Sequence, residues 1–187
     1  MSALDPPRLP PRVTPLPAPL RLVQVAAFRD SEAALAARLQ ASGWQLPAFG
    51  RAWFSGERSV CCVRPRRWLL IEEAGPATAA DTAFGPACVA AVGEAGAVTE
   101  LGAARCAWRI TDPTAREWLA AGCRLDLQAQ VFTPGTAAVT LLAQVPVMLV
   151  AEPAAWLLYG PSSMHDHLAH WLGNAARSAR PHPGSPS

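Results

Sequence analysis

The side chains able to carry chemistry in this 187-residue chain are few and scattered. The densest group is His165, Asp166, His167 and His170. On a helix, His167 and His170 stand at i and i+3 and share a face, a spacing that suits two metal ligands. A zinc site needs a third and usually a fourth ligand, and the surrounding sequence offers none. Asp166 in a first helical turn is also what the helix dipole favours. The cluster therefore reads as a solvated polar face, and no metal ligand is assigned. Cys61 and Cys62 lie in an apolar run, Ser59 to Val63, so their side chains should point to opposite faces of a strand and behave as buried core thiols. No Gly-x-Ser-x-Gly elbow supplies a serine nucleophile. Gly93-Glu94-Ala95-Gly96 lacks the last glycine of a dinucleotide fingerprint and lies between a helix and a strand, the reverse of the required order. All 16 basic residues are Arg, which removes Schiff-base and P-loop lysine chemistry. The run Arg64, Arg66 and Arg67 beside Trp68 could grip a phosphate or a carboxylate. Charge is also common on a surface turn, and the run reads as a turn facing water or the acidic groups of a partner. No catalytic or cofactor-binding residue is assigned.

The elements that must position these residues follow from pattern and punctuation. A strand is expected near Leu20 to Ala27, then a helix with Asp30 or Ser31 as N-cap, Leu35 and Leu39 on one face, and Gly43 as C-cap. A hairpin follows, Ser59 to Val63 and Arg67 to Ile71, turning at Arg64-Pro65-Arg66. A helix over 79 to 92 ends at Gly93, and Ala97 to Leu101 returns as a strand. The second half opens with a strand over Arg105 to Ile110. Asp112 is then an N-cap with Pro113 at N1, and Gly122 closes that helix. Strands at Thr136 to Ala143, Val147 to Ala151 and Ala155 to Tyr159, separated by Pro146 and Pro153, lead to a last helix starting at Ser162 or Ser163, with Leu168, Trp171 and Leu172 on its buried side. Both halves run strand, helix, hairpin, helix, and each has a Trp-Leu-Leu strand, Trp68 to Leu70 and Trp156 to Leu158, before a closing helix. The fold class is α+β, with two ferredoxin-like β-α-β-β-α type units on antiparallel sheets.

Seven prolines among residues 1 to 20 forbid a helix and favour an extended arm that orders only against a partner. Residues 177 to 187 have almost nothing to bury and read as a flexible tail, leaving 21 to 176 as the folded domain. With 51% hydrophobic and 16% charged residues, the chain can bury a core. A net charge of +2 gives no field for nucleic acid or an anionic membrane. Five cysteines, an odd number with no C-x-x-C spacing, suggest neither a disulfide framework nor a zinc knuckle and point to a reducing cytoplasm. No uncharged apolar run reaches the roughly 18 to 20 residues that span a bilayer, and no signal peptide is legible.

From Val98 to Leu119 the chain reads VTELGAARCAWRITDPTAREWL, then Gly122-Cys123-Arg124-Leu125-Asp126-Leu127, Phe132-Thr133-Pro134-Gly135-Thr136, Thr140-Leu141-Leu142-Ala143 and Val145-Pro146-Val147-Met148-Leu149, with Trp171-Leu172 closing the last helix. This order of motifs resembles the gamma subunit of heterotetrameric sarcosine oxidases over roughly residues 30 to 175. Three departures from that pattern stand out: Gly102 stands where the family often has Ser, Arg66-Arg67 replace acidic residues, and Gly160-Pro161-Ser162-Ser163 replaces a common Val-Pro-Arg-Ser. The resemblance implies a fold similar to the folate-binding domains of aminomethyltransferases. It also implies a non-catalytic subunit beside alpha, beta and delta subunits that carry FAD, FMN, NAD, tetrahydrofolate and zinc. In that setting the arginine run could also meet the glutamate tail of folate. A free-standing folate-binding or aminomethyltransferase-like protein is the alternative, although the chain is much shorter than a full transferase. Seven tryptophans exceed what the core needs, so some should anchor a subunit contact, Trp44 and Trp53 first among them.

Overall fold

The structure is a computed structural model and describes residues 9–73 and 83–179. Among the described residues, ten strands form two five-stranded sheets. Sheet one has the order β3-β4-β5-β2-β6, built from β2 (Arg21–Ala27), β3 (Ala52–Ser55), β4 (Arg58–Arg64), β5 (Arg67–Glu72) and β6 (Gly96–Glu100). Sheet two has the order β1-β7-β10-β9-β8, built from β1 (Val13–Pro15), β7 (Arg105–Ile110), β8 (Ala137–Leu142), β9 (Val145–Ala151) and β10 (Trp156–Pro161). All pairings are antiparallel.

Helices α1 (Glu32–Ala41) and α2 (Phe84–Val92) cover the outer face of sheet one, and α3 (Ala115–Ala120) and α4 (His165–Ser178) cover that of sheet two. Strand alternation sets what lies between. Val23, Val25, Val60, Cys62, Trp68 and Leu70 pack on α1 and α2, whereas Leu22, Cys61 and Ile71 from the same strands meet Ala107, Met148, Val150, Leu157 and Tyr159 of sheet two. The result is helices, sheet, sheet, helices, with apolar cores in all three gaps.

In sheet one, β6-β2-β5-β4 is the ferredoxin-like order, with β3 added at the edge. Sheet two repeats it: β7 stands for β2, and β8-β9-β10 stand for β3-β4-β5. The closing position held by β6 is filled by β1. Val13 faces Ile110 and Pro15 faces Trp108, and the Leu16 amide donates to the Ala107 carbonyl. The Trp-Leu-Leu segments fall at equivalent places, in β5 and β10. The expectation that the proline-rich arm orders only against a partner does not hold for these residues: Val13 is 3% exposed within its own chain.

Several boundaries differ from the sequence reading. Strand β3 had no expectation, because its residues, three half-buried and Ser55 exposed, have no alternation and are fixed by pairing with β4. Pro146 lies inside β9 rather than ending a strand. It sits beside the two-residue Ala143-Gln144 turn, where a missing N–H is tolerated. Asp112 does not cap α3 directly: its Oδ1 accepts from the Thr114 amide at 3.0 Å and the Thr114 hydroxyl at 2.8 Å, an Asx turn that delays the helix to Ala115. The first turn of the expected 79–92 helix lies outside the described residues up to residue 82. Helix α4 runs to Ser178, beyond the expected domain end at 176, and residues 180–187 lie outside the described residues.

Candidate functional site

The layer between the sheets carries polar groups at both margins, because β7 presents Arg105, Ala107 and Arg109 on that face while Cys106, Trp108 and Ile110 turn to α3 and α4. At one margin Arg109 contacts Glu73, which follows β5, and Glu152, which follows β9, each at 2.5 Å. One guanidinium thus clasps both sheets. Burial pushes the Glu152 carboxyl above its ordinary value although Arg109 opposes the shift. Burial alone would lower the Arg109 guanidinium, and the two carboxylates outweigh it and raise it. Between the margins Tyr159 is 2% exposed, and its hydroxyl has no hydrogen-bond partner among the described residues. Burial lifts this phenol well above its ordinary value.

The opposite margin opens as a cleft of about 300 Å³, walled by both sheets. Its floor includes Leu22, Met148 and Tyr159, and Arg64, Arg67 and Arg105 stand around it. The arginine run therefore divides. Arg66, at φ 62 in the corner of the hairpin, reaches Glu32 at 2.9 Å and donates to the carbonyls of Phe28 and Ala27, fastening the turn to the start of α1. Arg64 and Arg67 are exposed and face the cleft. Arg105 was missed in the sequence. The alternation of Arg105 and Arg109 with a buried Trp108 was visible, but only the topology brings it to the hairpin.

The histidines of α4 do not converge on a common metal-binding point. His165 stacks on Trp108 with centroids 5.2 Å apart and meets Asp166 at 3.0 Å. His167 Nε2 lies 3.2 Å from the Ala143 carbonyl, and His170 Nδ1 lies 2.8 Å from the Asp166 carbonyl. Among the described residues no group of three or more His, Cys, Asp or Glu side chains is placed to hold a metal. Cys61 and Cys62 do point to opposite faces, into the inter-sheet and helix-side cores. Burial pushes the Cys61 thiol up to about 12, with Cys62 adding to the shift.

Trp44 is not an interface anchor. It is 5% exposed, edge-on to Phe84 and covered by Arg58 at 4.8 Å from its ring. Trp53 is half-buried against the same core. Trp171, expected on the buried side of α4, does pack against the helix-side core beside Trp118 but is only half-buried. Among the described residues, the large apolar side chains classed as exposed are Phe28, Phe49, Val89, Val131 and Val139.

No family model matches the chain. Over 119 residues it is 32% identical to the sarcosine oxidase subunit gamma of Corynebacterium sp. strain P-1 and 34% identical to that of strain U-96. Over that stretch the chain is similar to sarcosine oxidase gamma subunits. The matched stretch is 63% of this chain and spans about half the length of those curated relatives, 56% and 55%. A solved chain of the heterotetrameric sarcosine oxidase of Corynebacterium sp. U-96, in complex with pyrrole 2-carboxylate, superposes with a TM-score of 0.77 at 27% identity, covering 95% of this chain and 91% of that one. The glycine cleavage system aminomethyltransferase T of Bartonella henselae shares the fold at a TM-score of 0.60 and 16% identity, over 91% of this chain and 50% of its own. The chain thus has the α+β, aminomethyltransferase-like fold that its motifs imply.

Proposed function

We propose that the chain is a non-catalytic, structural gamma-type subunit of a heterotetrameric, flavin-dependent oxidase or dehydrogenase. The complex would oxidise sarcosine, or another N-methyl or secondary amino acid, in the cytoplasm. The one-carbon unit would be released as formaldehyde or passed to tetrahydrofolate. The observation that carries this reading is the near end-to-end likeness, 95% against 91%, to a chain of a heterotetrameric sarcosine oxidase. The titratable groups support a structural role, since Arg109, Glu73, Glu152 and the histidines are engaged with the chain's own elements. FAD, FMN, NAD, tetrahydrofolate and zinc are assigned to the alpha, beta and delta subunits, and no described helix is long and apolar enough to cross a membrane. A tagged copy expressed in its native host should copurify with flavin-bearing chains, seen as absorbance near that of oxidised flavin and as oxidase or dehydrogenase activity on sarcosine or a close analogue. A stable monomer that recruits no flavin-bearing chain would sink the reading. The aminomethyltransferase likeness supports a second reading, a free-standing folate-binding protein. It requires the purified chain alone to bind tetrahydrofolate in calorimetry.

A further inference from the structure

We propose that the cleft bounded by Arg64, Arg67 and Arg105 binds a small organic anion, a molecule carrying carboxylate or phosphate groups on an apolar frame. The first argument is how Arg64 comes to be there. Cys62 pairs with Trp68, and both turn toward α1 and α2, so an unbroken ladder would next pair Val63 with Arg67 and send Arg64 back to the helix side. A β-bulge intervenes, skips Val63 and pairs Arg64 with Arg67. Bulges of this kind re-aim a side chain, and here the effect is to put two guanidiniums on the cleft side.

The second argument is electrostatic. Like charges directly opposite on paired strands destabilise the sheet, and among the described residues the guanidiniums of Arg64, Arg67 and Arg105 have no carboxylate partner. No acidic side chain lines the cleft. Three positive charges, two from sheet one and one from sheet two, are thus held around a concave space at a local expense in stability. Such an arrangement is explained when an anion completes it, because guanidinium with carboxylate or phosphate forms strong, oriented, paired hydrogen bonds. The third argument is shape. A volume of about 300 Å³ bordered by Leu22, Met148 and Tyr159 admits a small molecule with an apolar body. An overall net charge of only +2 does not favour a polyanion.

The test uses the full chain in whatever complex it purifies with, titrated by calorimetry with isophthalate and with inorganic pyrophosphate, and with neutral isophthalamide as control. At least one anion should saturate a single site, weaken as salt is raised, and leave isophthalamide silent. The Arg64→Ser/Arg67→Ser double variant and the Arg105→Gln variant should each weaken that binding about tenfold or more. The double variant should also melt at the same temperature as the parent or higher without ligand, since it relieves a repulsion. A structural role would not produce that result. Failure of both anions to saturate, parent-like affinity in either variant, or earlier melting of the double variant would overturn the proposal. So would binding to the free chain that is lost in the assembled complex, because the cleft would then be an acidic docking socket for another subunit. Copurification is scored separately, so the subunit reading can stand or fall without it.

Discussion

Arg109 shows how a single residue ties the two halves together. Its guanidinium is about one-third exposed, and it holds Glu73 and Glu152, which are themselves partly covered. Arg109→Leu would leave two carboxylates near each other without a counter-charge, and breaking a covered pair this way is costlier than the pair is worth. After discounting for solvent at this margin, the expected loss is about 1–3 kcal/mol in urea unfolding. Glu152→Gln should behave differently, because the amide oxygen still accepts from Arg109 while the buried charge is gone. The sign of its pH dependence follows from burial. The folded state raises the Glu152 pKa above 4.5, so the folded chain holds this proton more tightly than the unfolded chain. Stability from this carboxyl is present below the unfolded value and lost as pH rises through the folded one. The stability profile of Glu152→Gln should therefore be flatter than the parent's as pH rises above 4.5. A loss at neutral pH as large as that of Arg109→Leu would show that the Glu152 charge is needed.

Among the elements, β1 has the least sequence signal and a large structural role. Deleting residues 1–17 would uncover the edge of β7 and the pocket that holds Val13 at 3% exposure. An open edge strand invites pairing with another chain, so the truncated protein should be destabilised by about 2–4 kcal/mol, the cost typical of losing well-buried apolar side chains. Light scattering should show association at concentrations where the parent is dispersed. Unchanged stability and dispersity would mean that β1 is only an ornament on the sheet. The connector between the halves carries the other constraint. A Cβ on Gly102 would lie 1.9 Å from the Leu20 carbonyl oxygen, a backbone atom that cannot swing away. A serine therefore does not fit at this position. Gly102→Ser should cost about 1–3 kcal/mol by overpacking, read from the melting temperature. Legibility in the sequence ends where an element depends on distant partners. The β4-β5 hairpin, α1 and β7 were legible because apolar period and turn residues agree locally. Strands β1 and β3 were not, since a proline-rich segment and a four-residue run become strands only through pairing partners distant in sequence. The cleft was half legible for the same reason: the arginine run is local, whereas Arg105 joins it through the second sheet.

At the scale of the molecule, one ferredoxin-like order appears twice, and the two copies share an apolar layer rather than an interface open to water. The second copy borrows its closing strand from the start of the chain, so the first residues of the described structure and the last helix belong to the same half. This interlocking predicts that the halves unfold together, and the five thiols report on it. Four of them are buried, Cys61 in the inter-sheet core, Cys62 and Cys88 in the helix-side core of sheet one and Cys106 in that of sheet two, and only Cys123 is partly exposed. Burial pushes Cys61 up to about 12 and Cys88 up to about 11, so neither supplies much thiolate at mildly alkaline pH even when a reagent comes close. An aromatic disulfide reagent added to the native protein should consume one thiol quickly and the other four at a single slow rate set by global unfolding. That rate should rise steeply with urea for all four together. If Cys88 in the first half were instead labelled well before Cys106 in the second, the halves would open independently, and the shared inter-sheet layer would not be what makes the chain a single cooperative unit.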